Sequence, residues 1–254
     1  MILLDYSQIA LSNIIVQKVD DENIIRHMIL NSIRMYNKRY RKEYGQMVIC
    51  ADGMNTWRKE YFPQYKAHRK KARSESTMDW NEIFRVLNLV RDEIKENLPY
   101  KVLHMEGCEA DDIIGALTLN TEEFGNHEPV MIISSDKDFI QLQKFNHVKQ
   151  FSPIQKKMVV DKTPRKYLFE HICRGDKGDG IPNILSSDSC LVEGIKQSPL
   201  RQTLIDTWIE DPSIMPDEIK RNFQRNTTLI DLTKIPEDIY LSLIHISEPT
   251  RLLS

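Results

Sequence analysis

The sequence predicts an α/β fold in which a central, mostly parallel sheet is flanked by helices and followed by a smaller α-helical domain. Short apolar runs alternate with segments whose apolar residues recur at helical spacing. Strand, helix and strand in this order require a crossover, which makes neighbouring strands parallel. After residue 163 the apolar runs give way to helical patterns, so the last third of the chain is expected to be mostly helical.

Six apolar runs are the predicted strands. The first two end on or beside carboxylates, Asp5 and Asp52, and the fourth leads directly into further acids. An acid in this position lies at the carboxyl end of its strand, where open α/β sheets bind ligands. The predicted strands are 1–5, 47–53, 101–105, 129–133, 147–151 and 158–160.

Amphipathic helices are predicted between these strands. The segment 20–44 has helical periodicity, begins with acids that suit a helix N-terminus and stops at Gly45. Residues 79–98 form a second helix, ended by Pro99, and a third runs from the acids at 109 to Gly125. Shorter helices are predicted at 139–144, 164–173, 198–209 and 216–225.

Composition limits the class of protein. The chain has 254 residues, 41% of them hydrophobic, which suits one large or two modest domains with a real core. A formal net charge of −2 does not by itself indicate a nucleic-acid binder. The four cysteines form no CxxC pair, so buried, reduced thiols are expected. No signal peptide or bilayer-length apolar run is present, and a soluble, cytoplasmic protein is expected.

Carboxylates flank the third helix and the strand after it. Glu109, Asp111 and Asp112 stand at the head of the helix, and Asp136 and Asp138 follow the strand. Both groups can point into one crevice, where so many carboxylates repel each other unless cations neutralise them. This pattern predicts a Mg²⁺ site for phosphodiester chemistry. The alternative is that Asp136 or Asp138 caps a following helix and the other acids are solvated.

The segment 58–73 is strongly basic, with seven Lys or Arg and one acid. Aromatic residues are interleaved with the charges, and Pro63 interrupts any helix there. Basic side chains follow a phosphate backbone and aromatic faces stack on unpaired bases, so nucleic-acid contact is predicted. The alternative is a solvated basic face or a connector. The aromatic residues are Trp57, Tyr61, Phe62 and Tyr65.

A glycine-rich turn follows the helix 164–173. Three glycines and a proline at 175–182 demand tight turns, and glycine lets backbone N–H groups approach a phosphate closely. Asp176 and Asp179 share the turn. It lacks the GxxxxGK[ST] of a P-loop and the closing Glu of a calcium loop. The alternative is an ordinary loop between helices.

Taken together, these motifs resemble the flap endonuclease (5′ nuclease) family, and within it the ribonuclease H branch of T-even phages. The resemblance covers about residues 1 to 240 and follows the family's order. Its parts are the strand ends at Asp5 and Asp52, a basic arch at 65–73, EADD at 109–112, SSDKD at 134–138 and GDKGDGIP at 175–182.

The resemblance implies a domain organisation. Residues 1–163 would be the α/β nuclease domain, with a helical arch at about 57–78 that passes single-stranded 5′ ends. Residues 164–240 would be a helical DNA-binding domain containing a helix–turn–helix unit. The tail from 241 to 254 resembles translated sequencing-adapter read-through, so we expect it to be non-native and the chain to be truncated.

The resemblance also implies site residues. Two Mg²⁺ ions, for which Mn²⁺ could substitute, would be held by carboxylates directly or through water. The implied metal-site residues are Asp5, Asp52, Glu109, Asp111, Asp136, Asp138 and Asp179. Lys66 and Arg69 would clamp the scissile phosphate and act in catalysis together with Asp111 and Asp138. The implied nucleic-acid-binding residues are Tyr65 (as a stacking platform), Lys66, Arg69, Lys70, Lys71, Arg73, Gly178 and Gly180.

Two points remain open within this site. Helical spacing places Asp112, three residues on, on the same face as Glu109, whereas the family places Asp111 in the site. We follow the family, and Asp112 and Asp176 stay as further candidates. The family also often has a second glycine-rich turn after the first, but this chain reads LSSDSCL at 185–191, which puts the duplex-gripping unit in doubt.

The implied activity is 5′→3′ exonuclease and flap endonuclease action, including ribonuclease H activity, on duplex DNA, 5′ flaps and RNA–DNA hybrids. Primer removal during phage replication, beside a single-stranded-DNA-binding protein, would be its setting, with a monomeric enzyme in the host cytoplasm. A PIN-type ribonuclease is one alternative, opposed by the basic arch and the glycine turn. A non-catalytic DNA-junction binder is another, opposed by the presence of all seven carboxylates.

Overall fold

The fold is a six-stranded sheet covered by helices on both faces. The computed structural model describes residues 1–17, 19, 21–123 and 127–247, except the side chains of 13, 16, 71, 72 and 123. The strands are β1 (Ile2–Asp5), β2 (Met47–Ala51), β3 (Lys101–His104), β4 (Val130–Ile133), β5 (Val148–Ser152) and β6 (Lys157–Val159). Their order is β3-β2-β1-β4-β5-β6, parallel throughout except for the antiparallel β5–β6 pair. The predicted fold class is confirmed.

Ten α-helices connect and cover these strands in the described part of the chain. They are α1 (Tyr6–Gln17), α2 (Glu22–Tyr44), α3 (Trp57–Tyr61), α4 (His68–Ser74), α5 (Trp80–Asn97), α6 (Ala110–Glu123), α7 (Pro164–Arg174), α8 (Gln202–Glu210), α9 (Asp217–Ile230) and α10 (Glu237–Ser247). The predicted short helix at 139–144 is a 3-10 helix, Asp138–Lys144. Two predicted helix boundaries, Asp20 and Gly125, lie outside the described residues.

Two helices were not predicted. α1 has no charged residue in its first or last turn, so it lacks the polar face that marks an amphipathic helix. α10 extends into the segment that sequence reasoning set aside as a tail. Leu243 in this helix is fully buried in the same core cluster as Ile113 of α6. The origin of residues 241–254, like the domain boundary at 163, stays a prediction, and residues 248–254 lie outside the described part.

The core has two layers because strand side chains alternate between the faces of the sheet. Ile2 and Leu4 of β1 pack with α1, α2 and α5, whereas Leu3 packs with α6 and α10. All four cysteines are buried and free, as expected. Across the described ranges, every helix is too short or too polar to span a bilayer.

The sheet's connectivity fixes where a site can form. β1 pairs with β2 on one side and β4 on the other, so the chain changes direction across the sheet between β1 and β4. This is a topological switch point, and the carboxyl ends of the two strands border the crevice there. A smaller apolar cluster joins Phe62 and Tyr65 to α7 and α9. The arch segment is thereby seated on the helical region beside that crevice.

Candidate active site

Two carboxylates close the first two strands at the switch point. Asp5 is the last residue of β1 and is nearly buried. Its Oδ2 accepts a hydrogen bond from Ser134 Oγ (2.9 Å), and its Oδ1 accepts from the backbone N–H of Gln8 (3.1 Å). Asp52 directly follows β2 and accepts from the Ala110 backbone N–H (2.8 Å), which ties this strand end to the start of α6.

Asp136 and Asp138 follow β4 on the other side of the switch point. The backbone N–H of Asp138 donates to Asp136 Oδ1 (2.9 Å), and that of Asp136 donates to Ser134 Oγ (3.1 Å). This backbone contact is the one expected if Asp136 caps the helix that follows it, which was the alternative to a metal site. That contact uses one oxygen of the carboxylate, and Asp136 still lies close enough to Asp111 and Asp138 to raise the pKa of both carboxyl groups.

The head of α6 separates the roles of its two aspartates. Asp112 is fully buried and accepts hydrogen bonds from the Glu109 backbone N–H (2.9 Å) and from Trp57 Nε1 (3.2 Å). It also forms an ion pair with Arg58 (2.8 Å). Asp112 is thus a helix cap and charge partner, turned away from the acids at the strand ends. Asp111 instead feels the charges of Asp136, Asp5 and Glu109.

The electrostatics show an excess of negative charge in the crevice. Burial, followed by repulsion from Asp52, raises the pKa of Asp5 to about 7. Burial and the charge of Asp136 raise the pKa of Asp138 to about 8, and burial likewise raises the pKa of Asp111 and of Asp136. Each of these groups is more easily ionised if a cation is bound nearby.

The base of the arch (residues 65–69, called the arch base) brings two cations, Lys66 and Arg69, to the edge of this cluster. Lys66 Nζ lies 2.6 Å from Glu109 Oε1 and 3.5 Å from Asp179 Oδ2, and Arg69 forms an ion pair with Asp179 (2.5 Å). Burial raises the pKa of Glu109, but the charges of Lys66 and Arg58 outweigh it, so the net shift is downward. Lys66 and Arg69 are therefore next to the carboxylates.

Tyr65 does not have the predicted environment. Its side chain is 2% exposed, and its hydroxyl lies 2.8 Å from both Glu109 Oε2 and Asp179 Oδ2. The ring packs with Phe62 and with residues of α7 and α9. The ring therefore has no face open for a base to stack on in this structure, and stacking on Tyr65 stays a prediction. The residue joins the arch base to two site carboxylates.

The glycine-rich turn contacts the arch. The backbone N–H of Lys66 donates to the Asp179 carbonyl oxygen (2.7 Å), and Arg69 Nε donates to that of Gly178 (3.1 Å). Gly180 adopts a positive φ of 75°, and a Cβ there would meet the Gln64 carbonyl oxygen at 3.0 Å. Gly180 is therefore required for close packing of the arch base.

Sequence reasoning missed His171 in the last turn of α7. Its Nδ1 lies 3.3 Å from Asp138 Oδ1 and its Nε2 lies 3.4 Å from Asp176 Oδ2. Burial lowers its pKa, but the hydrogen bond to Asp176 and the charge of Asp138 give a net upward shift. No motif surrounds this histidine. The only available signal was its place immediately before the glycine turn.

Two further basic residues of the arch face outward. Lys70 and Arg73 on α4 are exposed, and the Arg73 guanidinium lies 5.7 Å from the centre of the Phe84 ring. The side chain of Lys71 lies outside the described residues. Arg58 was counted in the basic run but is 3% exposed and fully engaged with Glu109 and Asp112. It therefore belongs to the protein interior.

The donor set fits hard divalent cations. The strand ends and α6 supply carboxylate oxygens, the ligands that Mg²⁺ prefers. Burial, together with repulsion between neighbouring carboxylates, raises the pKa of Asp5, of Asp111 and of Asp138. Asp138, His171 and Asp176 also bring one ligand atom each within 4.8 Å of one another. Metal-dependent chemistry at the carboxyl edge of the sheet is what this arrangement supports.

Comparison with known proteins identifies the family. The family described as "5'-3' exonuclease, N-terminal resolvase-like domain" matches residues 9–169. The chain is 34% identical to ribonuclease H of Enterobacteria phage T4, an alignment that covers 96% of this chain and 84% of that protein. The chain belongs to the 5′-3′ exonuclease family. It is a nuclease, as predicted.

Further relatives agree with this assignment. The nuclease is 28% identical to a 5′-3′ exonuclease of Buchnera aphidicola, and the match spans 58% of this chain and 50% of that protein. Its fold is similar to that of the bacteriophage T5 flap endonuclease, solved in a pseudo-enzyme-product complex with DNA and metal ions. That superposition has a TM-score of 0.68 at 17% identity and covers 98% of this chain and 99% of the other.

Proposed function

We propose that this nuclease is a Mg²⁺-dependent 5′ nuclease that hydrolyses phosphodiesters from the 5′ side of duplex DNA, 5′ flaps and RNA–DNA hybrids. Removal of RNA primers during phage DNA replication, in the host cytoplasm and beside a single-stranded-DNA-binding protein, is the setting we infer for the monomer. The observation that supports this most is the gathering of acids from β1, β2, β4 and α6 beside two arch cations.

The ion-holding residues we propose are Asp5, Asp52, Glu109, Asp111, Asp136, Asp138 and Asp179, with Asp176 and His171 adjoining them. Bound Mg²⁺ or Mn²⁺ would supply an activated water and neutralise charge on the phosphate. Asp112 is removed from the proposed set because it is buried against Arg58. Asp5 and Asp138 are held by neighbouring groups, so their oxygens are pre-positioned at the crevice.

Lys66 and Arg69 would bind the scissile phosphate. The pKa of Lys66 is raised because the charges of Asp179 and Glu109 outweigh the effect of burial, so its ammonium stays charged at neutral pH. In the described state both cations are paired with carboxylates. We infer that they exchange these partners for phosphate oxygens when substrate enters, and that they stabilise the charge that grows on the phosphate.

The exposed basic residues would hold the nucleic acid beyond the scissile bond. Lys70 and Arg73 lie on the outer surface of α4, and we propose that Lys71 joins them along a single-stranded 5′ end. The backbone at Gly178 and Gly180 and the helices after residue 163 would contact the duplex. The T5 flap endonuclease was solved with DNA, and this supports our proposal of a DNA substrate for the present nuclease.

The test uses a nicked duplex with a single-stranded 5′ flap, labelled at its 5′ end, incubated with and without Mg²⁺. An RNA–DNA hybrid is assayed in parallel. We expect Mg²⁺-dependent release of short 5′ fragments from both substrates. We also expect Asp138→Asn to lower cleavage by at least about 100-fold while binding of the flap is retained, because the carboxylate acts on the reaction rather than on the fold.

Two outcomes would contradict the proposal. Tight flap binding without cleavage by the wild-type chain would favour a non-catalytic junction binder. Cleavage of single-stranded RNA alone would favour a PIN-type ribonuclease. If Asp138→Asn loses binding as well as cleavage, the residue has a folding role, which circular dichroism of the variant would detect.

A further inference from the structure

A second group of potential metal ligands lies at the opposite edge of the sheet from the acid cluster. Glu122 is in the last turn of α6, His127 is in the connection that follows, and His147 immediately precedes β5. His147 is at the amino end of its strand, where its carbonyl oxygen accepts from the Val130 N–H (2.9 Å). This site is built from different elements than the candidate active site.

The spacing of the three ligand atoms is that of a metal coordination shell. Glu122 Oε1 lies 3.2 Å from His127 Nδ1 and 3.2 Å from His147 Nδ1. Ligands bound to a tetrahedral Zn²⁺ at about 2.1 Å are about 3.4 Å from each other. The three atoms also lie within 4.8 Å of one another, so a single ion can contact all of them.

The hydrogen bonds of His147 determine which ring nitrogen is protonated. Thr121 Oγ1 donates its proton to the Thr118 carbonyl oxygen (2.6 Å), and it lies 2.9 Å from His147 Nε2. As long as its proton is directed at the Thr118 carbonyl oxygen, the hydroxyl accepts a hydrogen bond from His147, and the N–H of a neutral ring is then at Nε2. The Nδ1 atom then presents a lone pair to Glu122.

A lone pair facing a carboxylate oxygen at 3.2 Å requires a positive charge between the two atoms. A proton is one possibility, and a metal ion is the other. His127 brings a second imidazole to the same carboxylate oxygen, and two imidazoles with one carboxylate are a donor set that suits a transition metal.

We propose that Glu122, His127 and His147 bind one divalent transition-metal ion of the Zn²⁺ class, with a water in the remaining position. Thr121 orients His147 by accepting its Nε2–H, which is the outer-shell arrangement usual for metal-bound histidines. The ion would connect the end of α6 to the amino end of β5. Its role is structural, because the site lies at the opposite edge of the sheet from the carboxylate cluster.

The first test is the visible absorption of the metal-free chain titrated with Co²⁺, which reports coordination geometry. Four-coordinate Co²⁺ with nitrogen ligands absorbs far more strongly than six-coordinate Co²⁺ bound by oxygen ligands. We expect a strong band in the wild-type chain that is lost in His127→Gln and in His147→Gln. His27→Gln, at an exposed histidine of α2, is the matched control and should keep the band.

Asp138→Asn separates this site from the carboxylate cluster. The strong Co²⁺ band should persist in that variant, because its ligands are elsewhere. A band that disappears with Asp138→Asn, or that survives both histidine substitutions, would overturn the proposal. Absence of any strong band in a wild-type chain that is folded by circular dichroism would show that the His147–Glu122 contact is held by a proton alone.

Thr121→Val keeps all three proposed ligands. A loss of metal affinity in this variant can therefore be distinguished from misfolding caused by removing a ligand. Valine keeps the shape of the buried side chain but removes the acceptor for His147 Nε2–H. We expect Zn²⁺ affinity at this site, measured by calorimetry, to fall by about 10- to 100-fold. The melting temperature in chelator should meanwhile change little. Unaltered Zn²⁺ affinity would exclude Thr121 as an orienting group and contradict the arrangement proposed here.

Discussion

Arg58 shows how a single residue joins the arch to the site. Its guanidinium lies 2.8 Å from Asp112 and 3.1 Å from Glu109, and its Nε donates to the Leu229 carbonyl oxygen (3.0 Å). All of these groups are buried. The arginine therefore neutralises two acids at the head of α6 and at the same time fixes α3 to α9. Glu109, a proposed metal ligand, is oriented in part by this contact.

We predict that Arg58→Met lowers the free energy of unfolding by about 3–5 kcal/mol, because it leaves Asp112 buried without a counter-ion. Urea denaturation of the metal-free protein measures the change. Arg69→Met is the matched control on the same arch. Its partner Asp179 is also acidic, but the Arg69 side chain is 44% exposed, so the loss should stay below about 1 kcal/mol. Equal losses in the two variants would contradict the interpretation.

At the residue scale, local patterns predicted the acids but not their partners. Helical spacing favoured Asp112 over Asp111, yet Glu109 precedes α6, and Asp112 reaches back to cap its N–H. Asp111, the residue that the family resemblance implied, is the one that lies near Asp136. Arg58 and His171 could not be assigned, because Arg58 is 51 positions from Glu109 and His171 is 33 positions from Asp138, and only the fold brings these pairs together. The covering of Tyr65 has the same cause.

At the element scale, the arch base and the glycine-rich turn form one unit. Lys66 has a left-handed backbone with φ of 55°, and its N–H donates to the Asp179 carbonyl oxygen (2.7 Å). A left-handed conformation is costly for a residue with a side chain, and it persists here because the turn holds it. The position of the Lys66 ammonium therefore depends on the shape of the turn.

We predict that Gly180→Ala disrupts this unit. A Cβ at this position would meet the Gln64 carbonyl oxygen at 3.0 Å and the Lys66 backbone nitrogen at 3.3 Å, and alanine also disfavours the φ of 75°. We expect a stability loss of about 1–3 kcal/mol and a fall in flap cleavage of about tenfold or more. Thermal unfolding and the cleavage assay measure the two effects.

Gly178→Ala is the matched control for that substitution. Gly178 is in the same turn, but its added Cβ would meet only a side-chain oxygen of Asp176, at 3.1 Å. The stability change should be within about 1 kcal/mol. If both alanines are tolerated equally, the arch base does not rest on Gly180 in the way the contacts indicate.

Elements whose apolar residues recur at regular spacing were predictable from the sequence. Elements that form through packing against other parts of the chain were not. The six strands and the helices α2, α5 and α6 follow from apolar runs and helical spacing. Pro63 correctly indicated a break, and α3 ends at Tyr61. α1 and α10 were missed: α1 has no charge in either end turn, and α10 extends into the segment 241–254 that was set aside as a tail.

For the whole molecule, a formal net charge of −2 conceals strong segregation. Acids from four elements meet at the carboxyl edge of the sheet, and the cations that face them come from the arch. The acids on the far side of the crevice have raised pKa values, about 7 for Asp5 and about 8 for Asp138. Without a bound cation, ionising these groups works against the native state.

The sign of the pH dependence follows from these shifts. An unfolded aspartate has a pKa of about 3.9, whereas burial and the charge of Asp136 raise that of native Asp138 to about 8. Between these values the native state binds more protons than the unfolded state. The free energy of unfolding of the metal-free protein therefore decreases as pH rises through this interval. A variant without the Asp138 carboxylate should not show this decrease in the free energy of unfolding.

We predict that Asp138→Asn is more stable than the wild-type chain in chelator at about pH 9, by about 1 kcal/mol or more, and that this difference in stability is smaller at about pH 5. Thermal unfolding should show a rise of about 3 °C or more at the higher pH. Asp217→Asn is the control: its carboxylate is 93% exposed and its pKa is lowered by Lys220, so no such difference between the two pH values is expected.

Addition of Mg²⁺ should make the wild-type chain more stable than Asp138→Asn. A cation bound by the carboxylates stabilises the native state only where those carboxylates are present. The wild-type chain should then gain more in melting temperature than Asp138→Asn at about pH 9. A variant that is less stable than the wild-type chain in chelator would mean that Asp138 is held by His171 as a stabilising ion pair. The same substitution that abolishes cleavage would then weaken the fold instead of relieving it.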